Sequence, residues 1–172
     1  MAGKVVDSLG EISPSSNPEG NTYDQLINGP IHWFSDWPTG DAPRSDAVVY
    51  TIWNREGVFI YVGMSGRSFT GGTDGNGKAG PWGRLNSHAS GRRSGDQFCV
   101  YVADRLVLPT LHNRIAEIVD GTLSMDGATR DYIRVNLGFR WLKMESGKAA
   151  FELERRLQKG DAACGKPLLN PA

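Results

Sequence analysis

Residues 48–63 read VVYTIWNREGVFIYVG: two apolar runs, 48–53 and 58–62, on either side of Asn54-Arg55-Glu56-Gly57. Branched and aromatic side chains suit a pleated, half-buried surface, and Asn and Gly tolerate turn backbone, so the stretch predicts a β-hairpin. Each run carries one tyrosine, Tyr50 and Tyr61. A four-residue loop sets Trp53 against Val58 and, stepping outward, Tyr50 against Tyr61. Opposed residues of an antiparallel pair share a face, with Cβ atoms roughly 4.5–5.5 Å apart. The two phenols are therefore expected as one cluster, with plain cross-strand aromatic packing as the bland reading of the pair.

The rest of the chain supplies walls for this hairpin. Pro81 suits the first turn of a short helix over 81–90 (PWGRLNSHAS), which Gly91 would end. Residues 97–103 (QFCVYVA) read as a strand, 111–119 as helical, and 132–144 as containing a further strand that ends in FRWLKM. Ser146 can cap a last helix through Lys159. Residues 1–46 form an extension: a polar arm to about 22, then an irregular stretch in which Trp33, Phe34 and Trp37 are costly to leave in water. Strands and helices without regular βαβ alternation predict one α+β domain over 47–172, a small, mainly antiparallel central sheet flanked by helices.

With 19 Lys and Arg against 19 Asp and Glu, net charge neither attracts nor repels nucleic acid, so any such binding needs local clustering. Between Arg67 and Arg114 the cations Arg67, Lys78, Arg84, Arg92, Arg93, Arg105 and Arg114 outnumber the acids Asp74, Asp96 and Asp104. Arg67 and Lys78 in the glycine-rich loop, with Arg92 and Arg93, are the candidate phosphate contacts. That loop also fits GxxxxGK at Gly72–Lys78, but Ala79 replaces the Ser or Thr a nucleotide-binding loop requires. Cys99 and Cys164 match no zinc spacing, no apolar run is long enough to span a membrane, and no signal-type segment opens the chain. A cytoplasmic protein with no membrane partner is the expectation.

Two helices carry candidate chemistry. On the first, Trp82, Leu85 and Ala89 make the apolar stripe, and Arg84 and His88 stack four apart on its flank. A guanidinium there can grip a phosphate and an imidazole can bond a phenol. On the last helix, Glu152 sits among basic neighbours, whereas the turn neighbours of Glu154 are Ala150, Phe151, Leu157 and Gln158, with no cation among them. A carboxylate beside an apolar stripe needs a partner. A divalent cation or an arginine from elsewhere, such as Arg140, would supply one.

The order VVY…YVG, GRLNSH, AAFELERRL, PLLN resembles the GIY-YIG nuclease family. The resemblance spans roughly 47–103 and 139–170, with 104–138 reading as an insertion and Val48 standing where the family has glycine. It implies a metal-dependent DNA endonuclease that hydrolyses phosphodiester bonds by a one-metal mechanism with a tyrosine general base. Tyr50, Tyr61, Arg84, His88 and Asn170 would be the catalytic set, and Glu154 would hold Mg²⁺, with Mn²⁺ as the alternative. The partner would be DNA, most naturally double-stranded. A catalytically silent nucleic-acid-binding module is the alternative reading.

Overall fold

A computed structural model of the chain describes residues 24–69 and 80–170. The polar arm, the GxxxxGK stretch and Lys78 lie outside the described residues. In chain order the elements are α1 (residues 24–28), β1 (His32–Trp33), a 3₁₀ turn (Phe34–Asp36), β2 (Ala47–Asn54), β3 (Phe59–Ser65), α2 (Pro81–Ala89) and α3 (Gln97–Val102). The chain continues through a π-helical turn (Ala103–Val107) and a 3₁₀ segment (Leu108–Arg114) into α4 (Ile115–Val119), α5 (Met125–Asn136), β4 (Leu137–Met144) and α6 (Gly147–Lys159). The strands form a sheet in the order β1-β4-β2-β3, antiparallel throughout, so the architecture is the expected α+β one.

Alternate residues of β2 divide the core. Tyr50 and Ile52 join Phe34, Leu85, Phe98, Ile133 and Phe139 on one face, under α2, α3 and α5. Ala47, Val49 and Trp53 join Leu26, Ala150, Leu153 and Leu157 on the other, under α1 and α6. The period of two places opposite faces of one strand against different helix layers, and helices cover both. No helix among the described residues is long and apolar enough to cross a membrane.

The hairpin closes at the expected turn, with the Gly57 amide donating to the Asn54 carbonyl at 3.2 Å and Gly57 at φ +77°, a backbone state that favours glycine. Its register corrects the sequence reading. Trp53 pairs with Phe59 but Ile52 pairs with Tyr61, so a bulge leaves Ile60 unmatched and sets Tyr50 opposite Gly63. The tyrosines are diagonal neighbours, two positions apart along the ladder. Because the slip is even, they still share a face.

Residues 97–103 are helical, which overturns the strand expected there. Asp96 caps α3, its side chain accepting the amides of Phe98 and Cys99, and this fixes a helical turn whatever the β-propensity of the run. Cys99, within that run, is buried on the helix. The helix expected over 111–119 is split, 3₁₀ to Arg114 and α only from Ile115. α1, β1 and α5 are absent from the sequence reading. Within the extension, His32–Trp33 adds an edge strand to β4, while Phe34 and Trp37 enter the core as their size demands. Within 104–138, α5 buries Ile133 against the same face as Tyr50, so the insertion is part of the core. The last helix follows the expected frame, with Ser146 accepting from the Ala149 amide at its N-terminus.

Candidate active site

β2, α2 and the N-cap of α3 bring three polar side chains, Tyr50, His88 and Asp96, into the first core layer. Pro81 opens α2, and Leu85 and Ala89 anchor it to the sheet. His88, one turn beyond Arg84, is thereby turned inward. Its Nε2 lies 2.8 Å from the Tyr50 hydroxyl and its Nδ1 lies 2.7 Å from Asp96 Oδ2. Tyr50, His88 and Asp96 are 1%, 2% and 3% exposed.

Burial works against the Asp96 carboxylate, yet hydrogen bonds from His88, Ser87 and the Cys99 amide outweigh it and hold its pKa below the ordinary value. An ionised carboxylate only accepts, so Nδ1 carries the proton. Burial lowers the His88 pKa despite the Asp96 contact, leaving the ring neutral with Nε2 as acceptor. Tyr50 therefore donates to His88, and His88 donates to Asp96. The three form a directed relay, not merely three close groups.

Tyr61 stands beside it, its ring 6.0 Å from His88, edge-on, and 5.0 Å from Phe98. Burial, then Glu154 and Asp96, push its pKa up to about 12, while Arg84 pulls the other way. Tyr50 is raised well above 10.0 by burial and by Tyr61, again opposed by Arg84. Tyr50 is the enclosed phenol and Tyr61 the half-buried one.

Arg84 is exposed on the outer side of α2 and acts electrostatically on Tyr50, Tyr61, His88 and Glu154 alike. Among the described residues no carboxylate lies within ion-pair reach of it.

Glu154 comes from α6, on the other side of the sheet, and its charge is felt by Tyr50 and Tyr61. Burial raises its pKa, opposed by the Met64 backbone amide on β3, then by Arg67 and Arg84. Among the described residues it has no ion-pair partner. Arg140, the alternative partner, donates from Nε to the Gly29 carbonyl at 2.7 Å and stacks on Trp53. Glu152 is exposed and lies 3.9 Å from Lys148, as befits a solvated residue. The α6 start is tied to the segment that follows β3 by the Gly147 amide, which donates to the Phe69 carbonyl at 2.8 Å. A Cβ at Gly147 would come within 2.5 Å of the Gly66 carbonyl oxygen, so glycine permits this approach.

Asn170 does not join the cluster. Its Oδ1 accepts the Val62 amide at 2.8 Å and its Nδ2 donates to the Val62 carbonyl at 2.9 Å, so both ends of the amide are spent on the β3 edge. Together with the Leu168 and Leu169 amides, which donate to Phe59 and Ile60, it completes β3 as a strand would. Its part is to hold the strand that carries Tyr61 and Gly63.

The basic excess is thinner than its sequence count. Arg93 is paired with Asp126 at 2.7 Å, Arg114 with Glu117 at 2.6 Å, and Arg105 donates to the Leu168 carbonyl. Arg67 lies over the Phe151 ring at 4.5 Å, and Arg92 is exposed. Of the phosphate contacts expected, Arg67 adjoins the cluster, and Arg93 answers to an acid that the insertion supplies.

Among the described residues no group of three or more His, Cys, Asp or Glu could hold a metal. Glu154 is a single half-buried carboxylate with no ion-pair partner among the described residues, and that fits an ion which keeps most of its ligands as water or substrate oxygen. No family model, no curated protein and no solved structure matches the chain.

Proposed function

We propose that this protein is a metal-dependent DNA endonuclease that hydrolyses phosphodiester bonds with Tyr50 as general base. The observation that carries the reading is the 2.8 Å contact between the Tyr50 hydroxyl and a neutral, Asp96-oriented His88. A phenol with a raised pKa is a poor base at neutral pH unless its own proton has somewhere to go. Here Nε2 takes that proton as the phenol oxygen takes one from water, and the Asp96 carboxylate stabilises the imidazolium that forms. The net transfer runs from water to His88.

Arg84, exposed and with no acidic partner among the described residues, would bind the phosphate bidentately and neutralise charge growing on its non-bridging oxygens. Tyr61, half-buried beside the relay, orients the water or a phosphate oxygen. Glu154 would hold a divalent cation, Mg²⁺ or Mn²⁺, whose charge favours the departing oxygen. DNA as the substrate rests on the order and spacing of the motifs that resemble GIY-YIG nucleases.

The test is cleavage by purified variants. Arg84→Ala and Glu154→Ala should each lose at least a hundredfold in rate while keeping the circular dichroism and unfolding midpoint of a folded protein. Wild-type rates in folded Glu154→Ala would remove the metal assignment.

A further inference from the structure

At the other end of the hairpin from the tyrosine cluster lies a cleft of about 440 Å³, lined by Ile31, Trp33, Trp53, Asn54, Arg55 and Arg140 among others. Two guanidiniums border it and, among the described residues, no carboxylate does. Each is fixed in the same way. Arg55 lies 4.5 Å over Trp33 and donates from Nε to the Val135 carbonyl at 2.7 Å. Arg140 lies 5.0 Å over Trp53 and donates from Nε to the Gly29 carbonyl, also at 2.7 Å.

Some arginines elsewhere meet acids, as Arg93 meets Asp126, Arg114 meets Glu117 and Arg130 meets Asp131, while Arg105 meets a backbone carbonyl. Arg55 and Arg140 have no acid within ion-pair distance among the described residues. Stacking on an indole and tethering through Nε hold the plane of each fork while leaving its terminal amino groups to an outside acceptor. Two guanidiniums lining one recess supply the donor type of phosphate recognition, in which planar bidentate donors outperform a point charge. The recess has the volume of an ordinary small-ligand site. The guanidiniums cover the two indoles, and the wall beyond them is aliphatic at Ile27 and Ile31, which suits a flat apolar group attached to the phosphate.

We propose that this cleft binds a nucleoside monophosphate, Arg55 and Arg140 holding the phosphate and the Ile31 side of the cleft receiving the base. The site is separate from the Tyr50–His88–Asp96 relay and independent of the proposed cleavage.

The test uses the full chain and the fluorescence of its own tryptophans, two of which line the cleft. Titration with a deoxynucleoside 5′-monophosphate should give saturable quenching, with inorganic phosphate at least tenfold weaker and the unphosphorylated deoxynucleoside without effect. Arg55→Gln and Arg140→Gln should each weaken nucleotide binding at least tenfold, and Arg84→Ala should leave it unchanged. Arg55 is exposed at the turn, so its variant keeps the fold even where Arg140→Gln loosens Trp53. Equal binding of the bare nucleoside or of inorganic phosphate overturns the proposal. So does loss of binding in Arg84→Ala alone, or no saturation by any of the three.

Discussion

Gly63 stands directly opposite Tyr50 in the β2–β3 ladder, and a Cβ at position 63 would come within 2.6 Å of Tyr50 Cζ. The tyrosine ring thus lies across the space a side chain would fill, and this brings its hydroxyl to His88. The missing side chain on one strand and the relay behind the other are parts of one arrangement.

Gly63→Ala should therefore displace the Tyr50 ring, costing about 1–3 kcal/mol of stability through overpacking and most of the cleavage rate. Denaturant unfolding and a cleavage assay read the two effects. A variant equal to wild type in both would place the phenol elsewhere.

Asp96 does two jobs, capping α3 and orienting His88, and they can be separated. Asp96→Asn keeps an oxygen for the Phe98 and Cys99 amides but removes the charge that stabilises an imidazolium. It should stay folded, lower the cleavage rate and change the His88 ring ¹⁵N shifts from the Nδ1-protonated pattern. Asp96→Ala loses both roles and should cost about 2–4 kcal/mol, the sum of a lost cap and an orphaned buried imidazole N–H. Equal stability of the Ala and Asn variants would contradict the capping role.

Acid should destabilise the fold through the same pair. His88 is held below its ordinary pKa, so on falling pH the unfolded chain takes up its proton first, near 6.5, while the folded chain resists. Asp96, also lowered, acts in the same direction at more acid pH. Stability is then full above about pH 6.5 and declines as pH drops toward the folded pKa of His88. In His88→Gln the part of the decline that begins near pH 6.5 should vanish; a wild-type slope in that variant would assign it to other groups.

Glu154 carries the opposite sign. Its pKa is raised, so the folded state holds a costly charge above that pKa and is relieved as the carboxyl protonates. Glu154→Gln should raise stability at neutral pH by about 0.5–1 kcal/mol, discounted for partial exposure, while removing cleavage. Thermal melts with and without 10-fold excess Mg²⁺ over protein supply the check. A destabilised Glu154→Gln would mean the carboxylate is structurally paired.

The hairpin, the α2 stripe with Arg84 and His88, and the lone carboxylate on α6 were legible because each depends on local chemistry: turn residues, helical spacing, the absence of a cation among the turn neighbours. What escaped depends on distant partners. The bulge at Ile60 shifts the tyrosines by two positions, and no local signal distinguishes that register from the simple one. Asp96 stood before a run that reads as a strand, and its place as a cap emerges only once the run is helical. Had QFCVYVA been read behind an N-capping aspartate, the third member of the relay would have been in view. His32–Trp33 was hidden because a two-residue edge strand has no periodicity, and it forms only because β4 offers a free edge. Asn170 came from motif order alone, which places a residue near a site without saying what its side chain touches.

Supercoiled plasmid incubated with the purified protein, Mg²⁺ and then EDTA tests the central claim most directly. Conversion to nicked or linear DNA that requires Mg²⁺, stops with EDTA, and disappears in folded Tyr50→Phe and Arg84→Ala is the expected result. Plasmid left intact under every divalent cation tried, or cut as well by Tyr50→Phe as by wild type, would contradict it.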